Sequence, residues 1–294
     1  MTRPAFPDGH FYSPVVDVAE VQRDLARLWP AVVNPGPLAE LMKVAPTEPT
    51  VHGIDWAPAS HDELLRGRFP ALIEGYDYLS EGAPDETLER FHEGNSQFGP
   101  ADARVLFCML RMLRPRHIVE VGSGYSTLLM TDVNARFLDR SASITSVEPY
   151  PRPFLHRMRD AGHITLIEQR AQDVQAELYM ELEAGDVLFI DSSHVCKTGS
   201  DVTHLYLDVL PSLAPGVIVH IHDIFFPHDY PPDWVLEHGF SWNEQYLLQA
   251  LLVGNRNFRV IYGGSLARTF HRPALVEFFG RMTHGSSLWL EKLA

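Results

Sequence analysis

From residue 101 onward the chain alternates between short apolar runs and amphipathic stretches. Val105, Leu106, Met109, Leu110 and Leu113 recur at helical spacing, and Pro115 ends that helix just before His117-Ile118-Val119-Glu120-Val121-Gly122. Further β-rich runs follow at 144–147, 164–167, 187–190 and 217–221, separated by helical patterns such as 200–213. Continuous Val, Ile and Leu runs of this length suit strands buried on both faces, so a parallel sheet covered by helices is expected. A helix over 243–253 leads to a strand at 258–262, and 287–290 reads as a final edge strand. The pattern predicts an α/β fold: a doubly wound, Rossmann-like, mostly parallel seven-stranded sheet.

Residues 1–95 have a different character, rich in proline, aromatics and acidic groups, with short helical patterns at 18–28 and 61–65. No Gly/Ser linker and no repeat sets them apart, so they read as an N-terminal helical cap packed on a domain spanning 96–294. At 45% hydrophobic and 21% charged residues, the composition argues against disorder. A net charge of −14 would repel a phosphate backbone or an anionic bilayer, so neither nucleic acid nor membrane is an expected partner. No 18-residue apolar run occurs, and the first ten residues lack the apolar core of an export signal. Cys108 and Cys196 show no CxxC spacing and fit reduced thiols. A soluble, cytoplasmic protein acting on a small molecule is expected, and a homo-oligomer is compatible with it.

The most informative segment is Val119-Glu120-Val121-Gly122-Ser123-Gly124-Tyr125-Ser126-Thr127, where the first strand meets its helix. Gly122 and Gly124 let the backbone turn sharply and approach a ligand, and the helix opening at Ser126 and Thr127 attracts an anionic group. A nucleotide-type cofactor suits this spacing. Position 127 is Thr where the dinucleotide signature has its third glycine, which disfavours a nicotinamide dehydrogenase. Glu148, ending the second strand, can accept both hydroxyls of a ribose, a role its position and the glycine turn favour over a solvent-facing Glu before Pro149. Asp173 offers a carboxylate for an adenine amino group or, alternatively, a helix cap.

On these residues the segment from Ala101 to the C-terminus resembles class I S-adenosylmethionine-dependent methyltransferases. The resemblance implies that cofactor, held by Glu120, Gly122, Ser123, Gly124, Tyr125, Ser126, Glu148, Asp173 and Asp191. Phe189-Ile190-Asp191-Ser192-Ser193-His194, with Val219-His220-Ile221-His222-Asp223, is similar to a bacterial small-molecule subgroup often found with secondary metabolism. Related macrolide-sugar and cephamycin-type enzymes hold magnesium with an Asp after the fourth strand and an acidic pair after the fifth. Asp191 and Asp223 match that pattern, while His222 replaces the first acid of the pair.

The candidate metal ligands are therefore Asp191, His222 and Asp223, with Mg, Mn or Fe as the ion; imidazole favours the transition metals. The competing account makes His194 or His222 a general base beside Asp191 and leaves His220 as a core histidine. On strand alternation, Asp223 points away from His222 unless the strand ends there and the turn re-aims the carboxylate. Aromatics at 225–234, Tyr76 and Tyr78 are candidate pocket walls, and Asn95, Gln97 and Asp102 are candidates for the cofactor's amino-acid end. Methyl transfer to a hydroxyl is the leading function. Aminocarboxypropyl transfer releasing methylthioadenosine and a non-catalytic binding protein are the alternatives.

Overall fold

The computed structural model describes residues 13–24 and 53–294. Seven strands form one sheet: β1 His117–Val121, β2 Ser143–Val147, β3 Thr165–Ile167, β4 Val187–Ile190, β5 Ile218–Ile221, β6 Phe258–Gly263 and β7 Leu288–Lys292. Their order is β3-β2-β1-β4-β5-β7-β6. The doubly wound, mostly parallel sheet is thus as expected, with one correction. The 287–290 segment is not an edge strand: β7 inserts antiparallel between β5 and β6 and leaves β6 at the edge. Leu288, Trp289 and Leu290 are all buried, as a strand paired on both sides requires.

Side-chain alternation sorts the strands onto two cores. Ile118, Ile144, Val187 and Phe189 face the helices Pro100–Leu113 and Tyr125–Phe137, whereas Val119, Val121, Leu188, Ile190, Val219 and Ile221 face the opposite layer. That second layer contains the helical run from Asp201 to Ser212, whose middle turn is a π-helix over Leu205–Val209, and the helix Glu244–Leu252.

The region before residue 96 shares the first core. Leu64, Leu65, Phe69, Leu88 and Phe91 are buried in the same cluster as Phe107 and Phe189. The helical pattern expected at 61–65 appears as Pro58–Asp62 continuing into a π-helical turn over Glu63–Arg68. His61 pins this element to the sheet, because Nε2 accepts from the Gly263 amide at 2.9 Å and Nδ1 donates to the Ala57 carbonyl at 3.1 Å. Of the helix expected over 18–28, Val18–Arg23 is present, capped by Asp17, and 25–28 lies outside the described residues. Val16 and Val21 pack on Phe225, Tyr230 and Val235. Among the described residues no helix is long and apolar enough to cross a membrane.

Candidate active site

The strand order reverses between β1 and β4, where open α/β sheets bind ligands at the strands' carboxyl ends. A cavity of about 900 Å³ opens there, lined by the turn after β1, the ends of β2, β4 and β5, and the loop that follows β5.

At one end the backbone does the shaping. Gly122 has φ +81°, and a Cβ on it would lie 1.7 Å from the Asp191 carbonyl oxygen, so only glycine passes between the ends of β1 and β4. Behind the turn, fully buried Glu120 accepts from Ser126 Oγ and Thr127 Oγ1, both at 2.6 Å, and from Ser146 Oγ at 3.1 Å. Burial pushes the Glu120 carboxyl up to about 7 against the pull of those hydroxyls. Glu120 therefore lies outside the cavity lining and braces the turn from below. Thr127 Oγ1 also accepts the Gly124 amide at 3.0 Å, so the residue that breaks the dinucleotide signature stitches this turn together.

Glu148 lines the cavity beside Ser123 and Tyr150. Its carboxylate accepts the Ser123 amide at 3.1 Å and the Tyr150 amide at 2.8 Å, which fixes its direction and leaves lone pairs for a diol. Gly122, Ser123, Gly124, Tyr125, Ser126 and Asp191 line the same cavity. Asp173 does not; it ends a short 3₁₀ turn, where Arg170 holds both carboxylate oxygens at 2.6 and 3.0 Å near the surface. Gln97 and Asp102 reach the cavity, whereas Asn95 spends its side chain on the 92–98 turn. Sequence reasoning missed Arg152 and Asp85. Arg152 donates to Asp85 and Gln97 and lies over the Tyr125 ring, closing the N-terminal region onto this end.

At the other end, buried side chains converge. β5 stops at Ile221, and Asp223 takes φ +58°, which turns its carboxylate back toward the site as the early strand end allows. His194 has the same left-handed φ of 58°. Its Nε2 lies 3.5 Å from Asp191 Oδ1 and 3.6 Å from Asp223 Oδ2, and its Nδ1 lies 2.7 Å from Glu244 Oε2. Donor atoms of Asp191, His194 and Asp223 all fall within 4.8 Å of one another, the spacing of a metal site. His222, the expected third ligand, flanks this set with Nδ1 3.5 Å from Asp191 and 3.4 Å from Asp223, while its Nε2 faces Asp102 at 3.7 Å.

Burial opposes charge on Asp191, His194 and His222, but the pairs outweigh it. His194 rises to about 10 because Asp191 and Glu244 oppose desolvation, and Asp223 and Asp191 drive His222 well above its usual range. Both imidazoles hold the Asp191 carboxyl well below the normal carboxylate range despite desolvation. His220, two residues before His222, stacks on Phe189 at 3.7 Å and bonds Ser287 at 2.9 Å, and burial keeps it neutral as a core histidine. His228 bonds Thr269 away from the cavity.

Phe225, Pro231 and Trp234 wall this end, as the aromatic segment suggested, joined by Phe240 and Trp242, which the sequence reading passed over. Tyr76 and Tyr78 do not take part. They pack edge-on against Phe107, and the Tyr78 hydroxyl bonds Asp132.

Residues 119–224 match a family model described as a methyltransferase domain. An uncharacterized protein of Archaeoglobus fulgidus is 31% identical over 183 residues, covering 60% of this chain and 74% of that protein. Among solved structures, the O-methyltransferase TomG of Streptomyces achromogenes, involved in tomaymycin synthesis and bound to SAM, is 15% identical. That match covers 65% of this chain and 79% of TomG, with a TM-score of 0.40. A putative O-methyltransferase of Klebsiella pneumoniae is 16% identical over 92% of this chain and 100% of its own, with a TM-score of 0.42.

Proposed function

The chain belongs to the class I S-adenosylmethionine-dependent methyltransferases, and we propose that it methylates a hydroxyl of a small, uncharged natural product in the cytoplasm. One observation carries the reading: a single cavity joins the glycine turn and Glu148 to the cluster of half-buried Asp191 with buried His194 and Asp223. Glu148 would hold the ribose, the Gly122 to Gly124 backbone the methionine portion, and Asp191 would stand near the sulfonium. The aromatic wall takes the apolar body of the acceptor and keeps water away. Among the described residues that line the cavity, Arg152 at the cofactor end is the only Lys or Arg, so the acceptor end offers no guanidinium or ammonium to a phosphate or carboxylate.

Transfer itself is an in-line displacement. The acceptor oxygen bonds the methyl carbon as the carbon–sulfur bond breaks, and positioning dominates the rate. In the free site Asp191 and Glu244 outweigh desolvation and favour the imidazolium form of His194. With the cofactor's positive charge nearby, His194 would release its Nε2 proton to solvent more readily, and the neutral Nε2 would then take up the proton of the hydroxyl. The cluster also fits a divalent metal through Asp191, His194 and Asp223, and its mixed N/O donors suit Mn, Fe or Zn better than Mg. Such an ion would supply Lewis acidity that lowers the pKa of a hydroxyl.

Calorimetry with S-adenosylmethionine tests the cofactor end. Glu148→Gln should weaken binding about tenfold, the loss of one charge-assisted contact, and NAD should not compete. A panel of hydroxylated small molecules with methyl-labelled cofactor should give labelled product and S-adenosylhomocysteine. Release of methylthioadenosine instead would overturn methyl transfer. Full activity in EDTA would remove the metal and leave His194 as base.

A further inference from the structure

His194 is gripped by one short stretch of chain some fifty residues away. The amides of Asn243 and Glu244 donate to its carbonyl at 3.1 and 3.2 Å. The Asn243 side chain accepts the Cys196 amide at 2.6 Å and donates to the Cys196 carbonyl at 3.3 Å, fixing the segment two residues further on. Trp242 lies against the imidazole at 4.3 Å between ring centroids, and Phe240 stacks behind Trp242 at 4.7 Å with planes 14° apart. Glu244, itself buried and absent from the cavity lining, meets Nδ1 at 2.7 Å. This clasp holds a non-glycine residue at φ +58°, a conformation that persists only where its surroundings over-determine it.

We infer that Glu244 is a positioning residue: it claims the Nδ1 hydrogen of His194 and so reserves Nε2 for the reacting centre, while Trp242 fixes the ring plane. With the Glu244 oxygen as acceptor of this 2.7 Å contact, Nδ1 is the donor. When the ring is neutral, its lone pair is then on Nε2, facing Asp191 and Asp223. The inference deepens the proposed methyl transfer and holds whether Nε2 acts as a base or as a metal ligand, since each role needs a lone pair on that nitrogen. Glu244 thus acts on the reaction through His194 without touching substrate.

Glu244→Gln tests it with little change of shape. A glutamine amide can donate to Nδ1, which permits the opposite tautomer with hydrogen on Nε2. Nitrogen NMR of ¹⁵N-histidine protein saturated with S-adenosylmethionine, followed through a pH series until the His194 ring is neutral, reads this directly, with His194 assigned by its disappearance in His194→Asn. The expected wild-type signal has hydrogen on Nδ1, and Glu244→Gln alters it. A bare Nδ1 in the wild type, or identical spectra in the two proteins, overturns the inference whatever reaction the enzyme performs. With an acceptor from the labelled-methyl screen, Glu244→Gln should lower kcat about 10–100-fold and leave cofactor affinity within about twofold. An unchanged kcat, or equal losses in both quantities, speaks for a purely structural residue. If the screen finds no acceptor, methyl transfer is in question and the NMR result still decides the role of Glu244.

Discussion

The two ends of the cavity are built by different means. The cofactor end is backbone: a glycine that passes under the Asp191 carbonyl, two amides that aim Glu148, and a buried carboxyl that ties the turn to β1 and β2. The turn, Glu120 and Glu148 come from one contiguous stretch, 117–150, closed by the Asp191 carbonyl and by Gln97 and Arg152. The acceptor end is side chains: Asp191 and His194 after β4, His222 and Asp223 after β5, and the aromatic wall from 225 to 242. Here two non-glycine residues sit at φ +58°. A backbone site serves a constant cofactor with few adjustable parts, whereas a side-chain site can be re-tuned for a new acceptor one residue at a time. The acids of the two ends show the same division. Without a cationic partner Glu120 is pushed up, while between two imidazoles Asp191 is held down.

The largest expected effect breaks the backbone end. Gly122→Ala places a Cβ against the Asp191 carbonyl at a φ that alanine rarely adopts. It should cost more than ~3 kcal/mol of stability and abolish S-adenosylmethionine binding, read by urea unfolding and calorimetry. Near-native binding would show that the turn yields more than its packing implies.

Next comes the pH dependence carried by Glu120. Its folded pKa of about 7 lies above the ordinary value of 4.5, so the native state binds that proton more tightly. The contribution is fully present below pH ~4.5 and is lost as pH rises through about 7, a change of up to ~3 kcal/mol. Glu120→Gln should remove this slope. The wild-type advantage over the variant therefore shrinks between those pH values in denaturant titrations, and parallel curves would contradict the buried-acid account.

At the side-chain end, Asp223→Asn keeps a residue that tolerates φ +58° and removes a charge facing His194. It should lower methyl transfer about 10–100-fold, or ~1.4–2.7 kcal/mol in the transition state, while cofactor affinity changes by less than about threefold. A variant losing both equally would merge the two ends into one functional unit.

How much of this was legible in the sequence follows the same division. The glycine turn and Glu148 could be read because their partners are sequence neighbours. Asp191 and Asp223 could be paired because β4 and β5 are adjacent in the fold that the strand pattern implies. The place of β7 could not, since strand order is a long-range property that local hydrophobicity does not encode. Trp242 and Glu244 were hidden for the same reason, because nothing near residue 243 signals a partner at 194. Tyr76 and Tyr78 misled because an aromatic pair reads alike in a core and in a pocket wall. Thr127 was weighed only as a missing glycine, when its hydroxyl is what holds the turn.

The smallest expected effect concerns Asp173, which the resemblance offered as an adenine contact. Its carboxylate is already held by the Arg170 guanidinium, which pulls it below the usual carboxylate range, and it lies outside the cavity lining. An exposed pair of this kind contributes little, so Asp173→Ala should leave the S-adenosylmethionine dissociation constant within about twofold. Set against the tenfold loss at Glu148→Gln, that result would confine the polar cofactor contacts to the ends of β1 and β2. A comparable loss at Asp173 would mean that Arg170 releases the carboxylate when the adenine arrives. The cofactor end would then draw a further contact from the turn after β3, in addition to Gln97 and Arg152.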